Sequence, residues 1–392
     1  MTPRGTLQPE CAFVYAPELG RYELSADHPF KPVRLELTRT LLEACGLLTE
    51  ANIVTPEPFT EKQLLTLHDS AFVAAVAAAS RGEPVTDALR YGLGTPDNPV
   101  SLGLHDAILR ICGASLTAVR LVASGRFTRA LNLSGGLHHA GHAKMSGFCT
   151  YNDIALAVHE AVTRYGLRVA YLDLDAHHGD GVQEFFYTSG EVLTLSVHES
   201  GRYLFPGSGF TYEVGQGAGR GLSVNLPLEP FTEAASYLEV LETVLPKALG
   251  AFRPDLIVLQ AGADMHRYDP LTDLHLSVQG IAESYALVSH LADEFCGGRL
   301  VATGGGGYDP YRTVPRVWAS LWGALSAQTL PETVPAAWRR RWEDALGVTL
   351  PETFADDTSA WPQTPRTAQI EAANRLTVRK LLASLEPIWK EL

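Results

Sequence analysis

The chain has 392 residues, 46% hydrophobic and 19% charged, and a net charge of −13. Such a composition gives ample material for a globular core, and its acidic balance argues against a nucleic-acid groove and against docking on an anionic membrane. The five cysteines (Cys11, Cys45, Cys112, Cys149 and Cys296) are odd in number and show no paired metal-ligand spacing, which suits a reducing cytoplasm rather than a disulfide framework.

Met1–Glu10 is polar and proline-bearing, without the apolar run of a secretory leader, and no later stretch approaches the ~18 apolar residues of a membrane span. Apolar β-like runs then alternate with helical stretches. The runs are Cys11–Tyr15, Ala130–Ser134, Val169–Asp175, Val192–Val197, Leu222–Leu226, Leu256–Ala261 and Leu300–Thr303. Between them, Asp106–Ala123, Asp153–Tyr165, Ala234–Ala248 and Gln279–Phe295 carry apolar residues at three-to-four spacing, the period of a helix with one buried face. Strand–helix alternation predicts an α/β fold, a single open and mostly parallel sheet flanked by helices, over residues 1–326. From residue 327 to 392 prolines punctuate a polar stretch that ends in one amphipathic helix, Thr367 to about Leu385, read as a C-terminal extension packed on the main domain.

Chemistry concentrates in Tyr171-Leu172-Asp173-Leu174-Asp175-Ala176-His177-His178-Gly179-Asp180-Gly181. Alternate residues of a strand share a face, so Asp173, Asp175 and His177 are expected to point together beyond the strand's carboxyl end, where open α/β sheets place their sites. Two carboxylates on one buried face are costly unless a cation compensates them. A second buried-strand pattern ends in Gly262-Ala263-Asp264, and a third ends in Ser134-Gly135-Gly136-Leu137-His138-His139. One such aspartate or histidine is ordinarily a cap or a packing residue. Three strand ends delivering carboxylates and imidazoles to one sheet edge point to a metal. Asp175, His177 and Asp264 form a one-nitrogen, two-carboxylate set that leaves a coordination position open, as in catalytic zinc sites; Fe²⁺ or Co²⁺ would also suit these donors. A nucleophilic water there needs a base, for which His138 and His139 are the candidates, with Asp173 and Asp180 as the carboxylates available to orient them.

These residues, in this order, resemble the histone deacetylase family. The matching pieces are His28 to Arg34, Tyr91-Gly92-Leu93-Gly94 with Asp97, Ser134-Gly135-Gly136 with His138-His139, and Ser146-Gly147-Phe148-Cys149. Asp173 to Gly181, Phe205-Pro206-Gly207, Gly262-Ala263-Asp264, Asp269-Pro270 and Gly304-Gly305-Gly306-Gly307-Tyr308 complete them. The resemblance implies the arginase/deacetylase fold and hydrolysis of an acetyl-lysine amide on a protein or peptide. It assigns Zn²⁺ to Asp175, His177 and Asp264, the main general base to His139 paired with Asp180, and charge tuning to His138 paired with Asp173. It makes Tyr308 the donor to the amide oxygen, Phe148 and Phe205 the walls of a narrow tunnel, and Gly147 an acceptor for the substrate amide proton. Asp97 would bind substrate backbone at the rim, Arg34 would line an acetate cavity, and K⁺ would sit on carbonyls of the Asp173–His177 run and of Ser196 and Val197. Phe148 and Phe205 could instead be core aromatics, and Asp97 a turn residue.

Three rival functions compete with that reading. Arginase-type hydrolysis with two metals wants further carboxylates where Gly179 and His266 stand. Deacetylation of acetylpolyamines commonly brings an acidic gate, but Leu271 follows Asp269-Pro270. A scaffold without chemistry should have lost a ligand or the tyrosine, and none is missing. The sequence therefore predicts a single-metal protein deacetylase of the cytoplasm, with a small-molecule deacetylase as the alternative.

Overall fold

Among the described residues, eight short apolar runs make one sheet: β1 (Cys11–Val14), β2 (Ile53–Val54), β3 (Arg129–Asn132), β4 (Val169–Asp173), β5 (Val192–Glu199), β6 (Ser223–Leu228), β7 (Leu256–Gln260) and β8 (Leu300–Thr303). Their order is β2-β1-β3-β8-β7-β4-β5-β6, and every neighbouring pair is parallel. This computed structural model describes residues 11–391, so the leaderless reading of Met1–Glu10 lies outside the described residues.

Every residue of β4, β5 and β7 is buried, which is why these strands read as continuous apolar runs rather than alternating ones. The register stacks Leu131, Ala302, Leu259, Leu172, Leu195 and Val224 in one row across six strands. The next row towards the carboxyl end is Asn132, Thr303, Gln260, Asp173, Ser196 and Asn225. An apolar sheet thus ends in a polar tier, and the loops beyond β3, β8, β7 and β4 leave from adjacent strands.

The main crossover helices are Leu104–Ala123, Asp153–Tyr165, Ala234–Phe252 and Val278–Cys296. Their ends follow from local chemistry. Asn152 and Ser277 accept N–H groups of the first turns, and Gly166 and Gly297 close the C-termini at φ +66° and +63°.

The structure departs from the sequence pattern in several places. β2 is two residues at the sheet edge, too short to leave a periodic signal. β4 stops at Asp173 rather than Asp175, because the Asp173 side chain accepts the Asp175 N–H at 3.1 Å and takes that donor from the ladder. The helices expected to end at Ala248 and about Leu385 run on to Phe252 and Trp389, with Pro246 and Pro387 inside them. The C-terminal stretch holds a second helix, Ala336–Leu346, whose Trp338 and Trp342 donate to Thr40 Oγ1 at 2.9 and 3.2 Å. Among the described residues no helix is long and apolar enough to cross a membrane.

Candidate metal centre and active site

The loop after β4 turns Asp175 and His177 towards Asp264, which follows β7. Their ligating atoms lie within 4.8 Å of one another and all three residues are buried. Asp173 is not part of this cluster: its carboxylate accepts from the Tyr171 hydroxyl at 2.5 Å and from His138 Nδ1 at 2.9 Å. The expected shared face therefore separates, with Asp173 behind a histidine and the other two in front.

The ligand candidates are fixed by the backbone. Gly306 N–H donates to Asp175 Oδ2 at 2.6 Å, and Ala176 N–H donates to Asp264 Oδ1 at 2.9 Å. His177 Nδ1 lies 3.1 Å from Asp175 Oδ1 and 2.9 Å from Asp264 Oδ2, so one imidazole nitrogen faces two carboxylates. Burial pushes the Asp264 carboxyl up to about 6, and the Asp175 charge beside it acts in the same sense. Two buried carboxylates and one imidazole, with convergent lone pairs and, among the described residues, no Lys or Arg ion pair, suit a divalent cation. The glycine run after β8 makes this approach feasible: a Cβ on Gly306 would collide with the Asp264 carboxylate.

Beside the cluster stand two histidine–carboxylate pairs. His138 Nδ1 bonds Asp173 at 2.9 Å, and His139 Nδ1 bonds Asp180 at 2.6 Å. The two rings are 4.0 Å apart between centroids, and His138 Nε2 lies 4.0 Å from Asp175 Oδ1. Burial works against charge on both. For His138 the charges of Asp173 and Asp175 outweigh it and raise the ring to about 9, whereas burial and the neighbouring His138 hold His139 down at about 4. Charge and burial thus shift the two adjacent rings in opposite directions.

Tyr308 closes the other side, with ring centroids 6.2 Å from His177 and 5.8 Å from Phe148. Burial and the charges of Asp264 and Asp175 push its phenol well above the usual range, so it stays protonated and able to donate. Gly147 and Phe148 both have left-handed backbones, at φ +50° and +69°. The strain is held by Asn98, whose Oδ1 accepts Phe148 N–H at 3.0 Å, and by Tyr22, whose hydroxyl donates to Phe148 O at 2.8 Å. A Cβ on Gly147 would collide with the His139 ring and lie 2.8 Å from Phe205 Cε1. Phe205 itself stands 5.0 Å from His139 and is 44% exposed. Asp97 is exposed, and among the described residues only its backbone carbonyl is engaged, with His28 Nε2 at 3.3 Å. Arg34 makes no ion pair among the described residues; its Nη1 donates to Gly307 O at 2.9 Å while Nε is buried without a partner.

The histone deacetylase domain family matches residues 28–325. The chain belongs to the histone deacetylase family. It is 42% identical over 377 residues to the acetoin utilization protein AcuC of Bacillus subtilis (strain 168), covering 96% of this chain and 97% of that one. It is 37% identical over 382 residues to AcuC of Staphylococcus xylosus, covering 97% and 99%. A crystal structure of an HDAC homolog complexed with SAHA superposes at a TM-score of 0.81 with 29% identity, over 95% of this chain and 99% of that one. An HDAC homolog from Aquifex aeolicus gives 0.80 and 27%, with the same coverage.

Several supports of this deacetylase-family site escape a reading by motif. Asp153 starts the helix Asp153–Tyr165, yet its carboxylate reaches back to accept Leu137 N–H at 2.8 Å and Gly136 N–H at 3.2 Å, fixing the turn that presents His138 and His139. Gln260 donates to Gly136 O at 2.9 Å. Asp269, already among the motif residues, accepts Tyr308 N–H at 2.7 Å. The available signal was a buried polar residue at a strand or helix end, which alone does not say what it faces. His178 and His198 are bonded within the protein, His178 Nδ1 to Ser208 Oγ at 2.9 Å and His198 Nε2 to Gly209 O at 2.9 Å. Cys149 is a packed thiol pushed well up by burial, donating to Gly147 O at 3.2 Å.

Proposed function

We propose that this chain hydrolyses the acetyl amide of Nε-acetyl-lysine in a polypeptide, with Zn²⁺ held by Asp175, His177 and Asp264. Fe²⁺ or Co²⁺ would satisfy the same donors. The observation that carries the reading is the convergence of the buried Asp175–His177–Asp264 set with two histidine–carboxylate pairs and a protonated tyrosine. When bound, the metal supplies Lewis-acid polarisation of the amide carbonyl and activation of water.

The chain's own residues supply the rest. Phe148 and Phe205 grip the lysine methylenes, and the neutral acetyl amide enters without burying a charge. Gly147 O accepts the amide proton and holds the scissile bond in place. His139, kept neutral and oriented by Asp180, takes the proton of the attacking water at Nε2 and returns it to the leaving amine. His138, held cationic by Asp173, offsets negative charge in the site. The Tyr308 hydroxyl donates to the carbonyl oxygen as it gains charge. Asp97 at the rim takes backbone N–H groups of the substrate.

The division at residue 326 belongs to the same reading, supported by the end of the family match at residue 325. So do K⁺ on the carbonyls of the Asp173–His177 run and of Ser196 and Val197, and a cytoplasmic substrate protein. The relatives' names, acetoin utilization proteins, favour a substrate protein connected with acetoin use. Metal analysis with parallel assays on acetyl-lysine peptides and acetylpolyamines tests the proposal. One divalent ion per chain with peptide turnover is expected; turnover of acetylpolyamines alone would favour the small-molecule alternative.

A further inference from the structure

The segment after Leu350 lies outside the family match, yet it returns to the loops that carry the site. Asp356 is where it closes. Its Oδ2 accepts from His266 Nε2 at 2.9 Å and from Val278 N–H at 2.8 Å, and its Oδ1 accepts from Arg316 Nη1 at 2.9 Å. Gln279 clasps its backbone through two bonds of 2.9 Å each, one to the N–H and one to the carbonyl.

His266 follows Asp264 by two residues, and Arg316 lies on the helix Val314–Ser326 that begins just beyond Tyr308. His266 Nδ1 accepts Tyr268 N–H at 3.2 Å, so the ring proton sits on Nε2 and is donated to Asp356. Burial alone would raise the Asp356 carboxyl, but the His266 bond and the Arg316 charge outweigh it and hold it at about 2. The side chains of His266 and Arg316 are only 1% and 7% exposed, so neither has water to replace Asp356. Trp361 continues the clamp, edge-on to His266 at 5.9 Å and to Tyr268 at 5.6 Å, while Arg267 Nη2 donates to Pro362 O at 2.8 Å.

We propose that Asp356 is a positioning residue: through His266 and Arg316 the C-terminal segment braces the loops bearing Asp264 and Tyr308, and so sets how firmly the Asp175–His177–Asp264 set holds its metal. This rests on the metal-site reading above. A neutral amide cannot replace the carboxylate, because one of its atoms becomes a donor facing Arg316 or the His266–Val278 pair of donors.

The test uses the full chain stripped of metal, Co²⁺ affinity by competition with a chelator, and amide exchange of Met265–Leu271 in the metal-free state. Asp356→Asn should weaken Co²⁺ binding about tenfold, the lower end for changes in groups that orient metal ligands, and speed that exchange. kcat on an acetyl-peptide should fall while KM holds. Glu386→Gln, which breaks an exposed pair with Lys247 elsewhere on the same extension, should change none of these. Lowered thermal stability in Asp356→Asn with wild-type Co²⁺ affinity and exchange would overturn the proposal and leave the segment a structural prop. Should that variant fail to fold, Trp361→Leu keeps the buried ion network and is read in the same way: a smaller loss of affinity is expected, and an unchanged value counts against the brace. A wild-type chain that binds no divalent ion sinks the metal reading instead, and metal-free exchange then shows separately whether Asp356 orders the loop.

Discussion

At the floor of the site the carboxylates of Asp173, Asp175 and Asp264 are fully buried, and five of their six oxygens accept a hydrogen bond, while Asp264 Oδ2 faces His177 Nδ1 at 2.9 Å. At the rim Asp97 is exposed with no donor on its carboxylate among the described residues, and Phe205 is 44% exposed. The floor is held by the fold before any substrate arrives; the rim is left for the substrate to order. Changes at the floor should therefore act on metal and on the chemical step, and changes at the rim on binding.

The largest effect is expected at Asp264. Asp264→Ala removes one of the three proposed ligands and leaves His177 facing a single carboxylate, so both the metal and turnover should be lost. Metal content by mass spectrometry of the purified variant checks this, and one ion retained per chain with full activity would break the assignment of the floor. Tyr308→Phe comes next. It removes one donor to developing charge while the metal stays, and kcat should drop about 10²–10³ with little change in KM. A raised KM with unchanged kcat would move Tyr308 from the floor's chemistry to the rim's binding.

Gly147 lies where floor and rim meet. At φ +50° a side chain strains the backbone, and its Cβ would collide with the His139 ring. Displacing a base by about 1 Å is worth about 10² in rate. Gly147→Ala should therefore lose about 10² in kcat with metal bound as in wild type; steady-state kinetics with metal analysis would show it. Near-normal kcat would mean that the loop yields and that the close approach is not part of the catalytic geometry.

The same division explains what the sequence revealed. Asp175, His177, Asp264, His138 and His139 were legible because each follows an apolar run, and a charged residue at the end of a buried strand needs a reason. The sheet was legible for the same cause, apart from β2, whose two residues give no period. Asp153, Gln260 and Asp356 were not legible. Their partners are backbone groups or side chains far along the chain, Leu137 N–H, Gly136 O and His266, and no spacing encodes such a meeting. The early end of β4 was hidden similarly, since it depends on one side chain competing with the ladder for an N–H. Rim roles came from motif order alone, and the exposed Asp97 is where geometry adds least to that order.

Asp97 should accordingly show the smallest and most conditional effect. An exposed carboxylate that accepts backbone N–H groups makes a charge-assisted hydrogen bond worth about 1.5 kcal/mol or somewhat more, or about tenfold in binding. That bond exists only when the substrate has a backbone. Asp97→Ala should lower kcat/KM about tenfold on an acetyl-lysine peptide, mainly through KM, and leave a small acetylated amine untouched. The chain's net charge of −13 adds a longer-range attraction for basic segments around the modified lysine, which should fade with added salt in wild type and variant alike, since losing one of the 44 acidic residues leaves the field nearly unchanged. Comparing the two substrates at low and high salt therefore separates the local bond from the general field. Equal losses on both substrates would place Asp97 in the folding of its own loop, through the turn that sets Asn98 against Phe148 N–H, and would make the rim as preorganised as the floor.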